Sequence, residues 1–238
     1  SAAKKRWGFD KKGMREPAGR IFYTDTVKTE PKIHVIRKNL ALAAAALGFE
    51  ASAAVDFPIA TGAEHRAEAE VLIAKADGRA FAILNPAGGW VTKLWRAADF
   101  GKLADKLDAE LSLTPIVVTG PNESELAAAV RANSRSERVI FAEPSLKGFY
   151  ELAKHATVYI GGDTGPTHLA IAAGAPVVGF FGPTEWWRNG SLNPEDICVE
   201  RNDIDCRVDC HRRTCSNWIC MDIPVESVFE AVQKRIRA

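Results

Sequence analysis

No apolar run in this chain approaches the roughly 18 residues that a membrane-spanning helix needs. The alanine-rich stretch Leu40–Leu47 is far too short. Residues 1–6 are small and basic and lead into no apolar segment, so no signal peptide is read and a cytosolic protein is expected. Charge of one sign is lacking too. The 31 Lys and Arg balance 30 Asp and Glu, leaving a formal net charge of +1. That excludes wholesale nucleic-acid binding, though not a local basic patch. Cysteine is absent until Cys198. The five that follow, Cys198, Cys206, Cys210, Cys215 and Cys220, are odd in number and clustered, which is not how a secreted disulfide scaffold reads. Three signatures are missing as well. No Gly-x-Gly-x-x-Gly follows a strand, which argues against a dehydrogenase. No Gly-x4-Gly-Lys-Ser/Thr occurs, which argues against a P-loop NTPase. No Gly-x-Ser-x-Gly occurs, which argues against a common hydrolase type.

What is present is ordinary for a globular protein: 47% apolar and 26% charged residues in a length that suits one large domain or two small ones. The organisation changes at about residue 75. Before it, a polar stretch with Gly8, Gly13, Pro17, Gly19 and Pro31 leads to one clear helix. Ile36, Leu40, Ala43 and Leu47 recur at helical spacing and Gly48 stops it. Residues 50–75 show no strong period. From Ala80, short apolar runs alternate with amphipathic segments. The runs are Phe81–Leu84, Ile116–Val118, Val139–Phe141, Val158–Ile160 and Val177–Phe181. Phe100, Leu103, Leu107 and Leu111 mark one helix face. Asn122 is read as the cap of a second helix, with Glu125 at its third position. Ser145 is read as the cap of a third, with Leu146, Phe149, Tyr150 and Ala153 facing inward. A last helix carries Val225, Val228, Phe229, Val232 and Ile236, with Pro224 in its first turn. Strand and helix alternating at this spacing predict an α/β fold whose parallel sheet is covered on both faces.

The most informative segment is Val158–Ala170, which contains Asp163-Thr164-Gly165-Pro166-Thr167-His168. A buried strand ends at Ile160, and glycines permit a tight turn. Pro166 suits the first turn of a helix that stops at Gly174. Thr164, Gly165, Thr167 and His168 are thereby placed at a helix N-terminus, at the carboxyl end of a parallel strand. Free N–H groups and the positive end of the helix dipole favour phosphate there, in the crevice where open α/β sheets bind ligands. The plain alternative is a well-capped turn, with Asp163 as cap and His168 as a packing residue. A second loop weighs against it. Gly88-Gly89-Trp90-Val91-Thr92-Lys93-Leu94-Trp95 leaves the first strand of the same sheet. It brings two glycines, a hydroxyl and a lysine that can meet a diphosphate as a point charge. A third loop, Gly182-Pro183-Thr184, can add contacts or be an ordinary turn.

These motifs together resemble glycosyltransferase family 9, the ADP-heptose:lipopolysaccharide heptosyltransferases and their relatives. Asp163–His168 followed by Gly182-Pro183-Thr184 is similar to that family's C-terminal signature, and Gly88–Trp95 to its lysine–tryptophan loop. Trp7-Gly8-Phe9, His34–Arg37, Pro144-Ser145-Leu146 and the run Cys206, Cys210, Cys215, Cys220 and Met221 are similar too. The resemblance implies a GT-B fold of two Rossmann-like domains. Residues 1–75 would be the end of the N-terminal, acceptor domain, and 76–223 the donor-binding domain with its cysteine-rich loop 198–220. Residues 224–238 would be a C-terminal helix. It implies donor contacts from Gly88 and Gly89 through backbone N–H, and from Thr92, Lys93, Thr164, Gly165, Pro166, Thr167 and His168. Pro144 would meet the base. Glu123, or equally Glu125, would meet the ribose. Asp163 would meet the sugar or orient the loop in support of catalysis. Members of the family are longer, with the extra length and the catalytic aspartate lying before Ser1. This sequence is therefore expected to be a fragment or half-molecule that binds donor better than it catalyses transfer.

The implied reaction moves a sugar, heptose foremost, from an ADP-sugar to an anionic lipopolysaccharide-core hydroxyl. Lys93 and the helix N-terminus would stabilise the departing diphosphate, so no metal or other cofactor is required. Asp203-Ile204-Asp205 spells the metal motif of a different glycosyltransferase fold, but it lies among the cysteines, outside the sheet. The cysteine spacings fit no standard zinc finger. Reduced thiols packing a loop are the first reading. Zinc at Cys206, Cys210, Cys215 and Cys220, or disulfides, are the alternatives. The basic residues Lys4, Lys5, Arg6, Lys11, Lys12 and Arg15 are either solvated or meet an anionic acceptor or membrane surface. A monomer with no nucleic-acid partner is expected. A different nucleotide-sugar enzyme of the same fold, an epimerase or another sugar transferase, and a non-catalytic nucleotide-binding module are the rival readings.

Overall fold

The structure, a computed structural model, describes residues 3–207 and 210–238. The first two residues of the 1–75 segment and positions 208–209 of the cysteine-rich loop lie outside the described residues. The chain forms two compact units, one of residues 1–56 with Trp187–Asn189, the other of Phe57–Trp186 and Gly190–Ala238. In the first, β1 (Trp7–Phe9) pairs in parallel with β2 (Asp25–Val27). Helix α1 (Val35–Leu47) follows. The His34 ring accepts the Ile36 N–H at its start, and Gly48, at φ 74°, ends it in the left-handed conformation that glycine adopts without strain.

The second unit opens with α2 (Ala63–Ala74), in a stretch where no periodicity was expected. Only Ala69 and Leu72 are buried, and alanines and Val71 lie exposed among its charged residues. Too narrow an apolar stripe gives a weak sequence signal. Its Glu68 carboxylate accepts the backbone N–H and hydroxyl of Ser145 at 2.7 and 2.6 Å. That ties α2 to the second unit, although it precedes residue 75.

Strands and helices then alternate: β3 (Phe81–Asn85), α3 (Ala97–Leu111), β4 (Thr114–Val118), α4 (Ser124–Ala132), β5 (Ile140–Ala142), α5 (Leu146–Ala153), β6 (Val158–Gly162), α6 (Gly165–Ala172), β7 (Val177–Phe180), the short α7 (Trp186–Asn189), β8 (Ile197–Val199) and α8 (Val225–Arg235). The six strands β3–β8 form one parallel sheet in the order β5-β4-β3-β6-β7-β8. Neighbours β3 and β6 therefore mark the point where the strand order reverses, the topological switch at which such sheets bind ligands.

Side-chain alternation splits the core between the two faces of the sheet. Ala82, Leu84, Val158, Ile160, Val178 and Phe180 meet α3 and α8 through Phe100, Leu103, Leu107, Val228 and Val232. Phe81, Ile83, Tyr159 and Val177 meet α2, α5 and α6 through Leu72, Phe149, Leu152 and Ala170. Trp95, 1% exposed, anchors the first face. It lies edge-on to Phe100 at 5.0 Å and donates its indole N–H to the Ile223 carbonyl at 2.9 Å.

Several local expectations are corrected. Asn122 is not a cap: it sits in a turn at φ 68°, and the α4 cap position belongs to Glu123, whose carboxylate accepts the Gly120 N–H at 2.6 Å. Ser145 does cap α5, accepting the Gly148 N–H at 3.0 Å. Leu146, expected inside, is 70% exposed, because as the first residue of α5 it precedes the turn that packs on the sheet. Gly165 and Val225 begin α6 and α8, so Pro166 is the second residue of its helix and Pro224 the cap of its own. Strand β8 is too short and too mixed to be read beforehand. Among the described residues no helix is long and apolar enough to cross a membrane. Trp95→Ala is expected to lower unfolding free energy by about 3–5 kcal/mol, read by urea denaturation. A loss under about 1 kcal/mol would contradict its anchoring role.

Candidate donor-phosphate site

β3 and β6 end side by side, with Asn85 opposite Gly161. The loops that leave them meet above the switch point. After β6, the chain turns through Asp163 and Thr164 into α6, presenting exposed Gly165 and His168 at the helix start. After β3, the chain crosses Gly88 and Gly89 into a single helical turn, Val91–Lys93. The Lys93 ammonium donates to the Asp163 carboxylate at 2.7 Å and to the Asp163 carbonyl at 3.1 Å. It also lies 4.3 Å from the centre of the Trp90 ring. The two segments singled out in the sequence are thus joined, seventy residues apart, by a pair whose side chains are only 14% and 5% exposed.

Burial by itself would hold the Asp163 proton on. The His168 ring, 3.5 Å from the carboxylate, together with the hydrogen bond and charge of Lys93, outweighs it and keeps Asp163 ionised well below the usual carboxylate range. Thr184, from the loop after β7, adds its hydroxyl on the same side. That hydroxyl is buried and makes no hydrogen bond of ordinary length. Asn85, which the sequence reading passed over, props the floor. Its amide donates to the Val118 carbonyl at 3.0 Å, and its oxygen accepts the Thr164 hydroxyl at 3.4 Å.

Beside the pair opens a cleft of about 390 Å3, walled by Gly88, Gly89, Glu123, Pro144, Thr164, Gly165 and Pro166. A Cβ added at Gly89 or Gly165 would meet no protein atom within 4 Å, so the backbone there is uncovered by side chains. Leu146 and Ser145 complete the far wall. Of the two glutamates weighed for this site, Glu123 lines the cleft, and Glu125 is exposed and does not. Two expected hydroxyls are not presented to it. Thr92 is buried and donates to the Arg212 carbonyl at 2.6 Å. Thr167 is fully buried, bonded to the Gly162 carbonyl and, at 2.9 Å, to the Tyr159 hydroxyl. Both hydroxyls fix the backbone of their loops instead. A wider groove of about 750 Å3 runs past Arg96, Lys102 and Pro224. Its Asp99 already holds Arg96 and Lys102, so the cleft with unshared amides is the better anion site.

The four cysteines of the cluster are free thiols in the structure. No three His, Cys, Asp or Glu side chains among the described residues stand close enough to hold a metal ion. Asp203 of the Asp-x-Asp sequence is engaged by the Arg201 guanidinium through two bonds of 2.7 Å.

Comparison with known proteins gives the family of the chain. The model of glycosyltransferase family 9 (heptosyltransferase) matches residues 1–218. Lipopolysaccharide heptosyltransferase 1 of Pseudomonas aeruginosa is 25% identical over 88% of this chain and 56% of its own length. Lipopolysaccharide heptosyltransferase 3 of Escherichia coli is 26% identical over 49% of this chain and 36% of its own. The chain therefore spans between a third and three-fifths of these curated relatives. Among solved structures, a family 9 glycosyltransferase from Veillonella parvula superposes with a TM-score of 0.76 at 18% identity, covering 99% of this chain and 68% of that one. E. coli heptosyltransferase WaaC with ADP gives 0.68 at 20% identity, covering 96% and 65%.

A carboxyl whose pKa is lowered by folding stabilises the fold above its unfolded value near 3.9, and that contribution fades as pH falls below it. Stability measured by denaturation between about pH 5 and pH 2 is expected to fall more steeply in the wild type than in Asp163→Asn. Identical acid limbs would show that the pair is not built as described.

Proposed function

The chain belongs to glycosyltransferase family 9, and from that premise we propose that it holds the donor side of a heptosyltransferase, gripping the diphosphate of an ADP-sugar whose sugar passes to a lipopolysaccharide-core hydroxyl. The observation that carries this reading is the meeting of Lys93 with Asp163, in the turn that leads into α6, at the switch point. A diphosphate entering the cleft finds the N–H groups of Gly88, Gly89 and Gly165 and the positive end of α6. Lys93 then turns from Asp163 to a phosphate oxygen. Pro144 and the exposed Leu146 offer an apolar wall to the base, and Glu123 an acceptor to the ribose hydroxyls.

In the reaction, an acceptor oxygen attacks the anomeric carbon as its proton leaves, and the bond to the diphosphate breaks. Negative charge then grows on the departing phosphate, where Lys93, His168 and the α6 terminus already stand. Charges fixed in place before the reaction stabilise it without reorganising. Asp163 sits behind Lys93 and His168 and holds both in position before the donor enters. The reading needs no metal. The acceptor belongs to a membrane lipid, and the exposed basic residues Lys4, Lys5, Arg6, Lys11, Lys12 and Arg15 suit its anionic surface.

Lys93→Ala is expected to weaken ADP binding by about 1–3 kcal/mol, the scale of a lost charged hydrogen bond; unchanged affinity by calorimetry would remove Lys93 from the site. Asp163→Ala is expected to depress turnover more than nucleotide affinity, and equal losses in both would contradict its positioning role. A panel of ADP-, UDP- and GDP-sugars tests the base, with ADP expected to bind tightest and a UDP preference favouring a different nucleotide-sugar enzyme.

A further inference from the structure

A second cavity, of about 470 Å3, lies behind the phosphate loops, and Cys206, Cys210, Cys215 and Cys220 all line it, together with Thr92 and Pro183. These thiols are not alike. Cys220 is buried, and burial, then the nearness of the other three sulfurs, pushes its pKa up. Cys215 is partly exposed. The Trp218 backbone N–H donates to its sulfur at 3.3 Å, and Arg212 adds positive charge, so both favour the thiolate. Cys206 is exposed, and its sulfur accepts the side-chain amide of Asn217 at 3.8 Å. It therefore lies beside the turn that carries Cys215.

The same turn holds the lysine loop. The Thr92 hydroxyl donates to the Arg212 carbonyl at 2.6 Å, and the Trp218 indole donates to the Thr92 carbonyl at 3.0 Å. Arg212 and Trp218 each stand three residues from Cys215, and Thr92 precedes Lys93. The Trp218 backbone, at φ 22°, is strained for an aromatic residue and persists only while its surroundings hold it.

Resting on the donor-site reading above, we propose that Cys215 and Cys206 form a thiol-modification site for small-molecule disulfides such as oxidised glutathione, coupled through Thr92 to the grip on the nucleotide. The Cys215 thiolate attacks one sulfur of the disulfide, forming a mixed disulfide and releasing one thiolate, which takes a proton from water. The Cys206 thiol gives its proton to water, attacks the Cys215 sulfur and expels the second thiolate. Two protein thiols are oxidised to one disulfide, and one small disulfide is reduced to two thiols. Closing the bond draws residue 215 towards Cys206 and away from its contact with Trp218. Thr92 loses its clamp, and Lys93 loses its fixed position.

The test equilibrates the protein in glutathione buffers of rising oxidised fraction, blocks free thiols and maps peptides without reduction. A Cys206–Cys215 cross-link that a dithiol reverses is expected. ADP affinity should fall about tenfold on oxidation, the effect of losing one or two hydrogen bonds, and return on reduction. Cys215→Ser should show neither effect, and Cys198→Ser, altered outside the cavity, should show both. In the unmutated protein a limiting alkylating agent should label Cys215 first. No cross-link, the same cross-link in Cys215→Ser, or tightly bound zinc that shields all four thiols would overturn the proposal, as would an oxidised protein that binds ADP unchanged. A reduced protein that never binds ADP would instead sink the donor-site reading, while the peptide map still judges the thiol pair.

Discussion

The structure turns on one contact, the Lys93 ammonium against the Asp163 carboxylate. It closes two loops over the point where the strand order reverses. A lysine on an exposed loop is ordinarily solvated and contributes little. Here its partner is nearly buried, so removing either group would leave the other charge uncompensated, at a cost well above that of a surface pair. The pair therefore holds the ammonium ready beside a helix terminus rather than leaving it to find a ligand by diffusion of a flexible side chain.

What surrounds the pair serves to keep it in place. Trp95 pins the far end of the lysine loop into the core through its ring contacts and its bond to Ile223. Asn85 bridges β3, the end of β4 and Thr164. Thr167 and Tyr159 close the turn from below. Each of these groups spends its polar atoms on protein, which leaves the backbone amides and glycines above them as the open surface. The division is economical for anion binding, because amides at a helix start are fixed by the fold and side chains are not.

Much of this was legible in the amino-acid sequence. Apolar runs of strand length alternating with amphipathic segments gave the parallel sheet. The order of the Asp163–His168 and Gly88–Trp95 segments pointed to their convergence. What escaped has physical reasons. Helix α2 buries two residues only and exposes Val71 and several alanines, so apolar residues lie on both faces and no period stands out. Asn122 looks like a cap, but its left-handed turn leaves that position to Glu123, a distinction set by backbone angles that composition does not encode. Thr92 and Thr167 have the residue type of phosphate ligands, yet tertiary partners claim their hydroxyls. Asn85 follows an apolar run and precedes a proline, a signal that could have marked it as a polar group buried at a strand end.

The family model that matches residues 1–218 establishes the family, solved structures at low identity establish the architecture alone, and the chemistry of the cleft has to stand on its own groups. The most direct test of the account is a crystal of the protein soaked with ADP. The diphosphate is expected against the Gly165 amide at the start of α6, with the Lys93 ammonium moved from Asp163 onto a phosphate oxygen and the base against Leu146 and Pro144. ADP bound elsewhere, as in the groove beside Arg96 and Pro224, or a Lys93–Asp163 pair left unchanged with phosphate out of its reach, would contradict it.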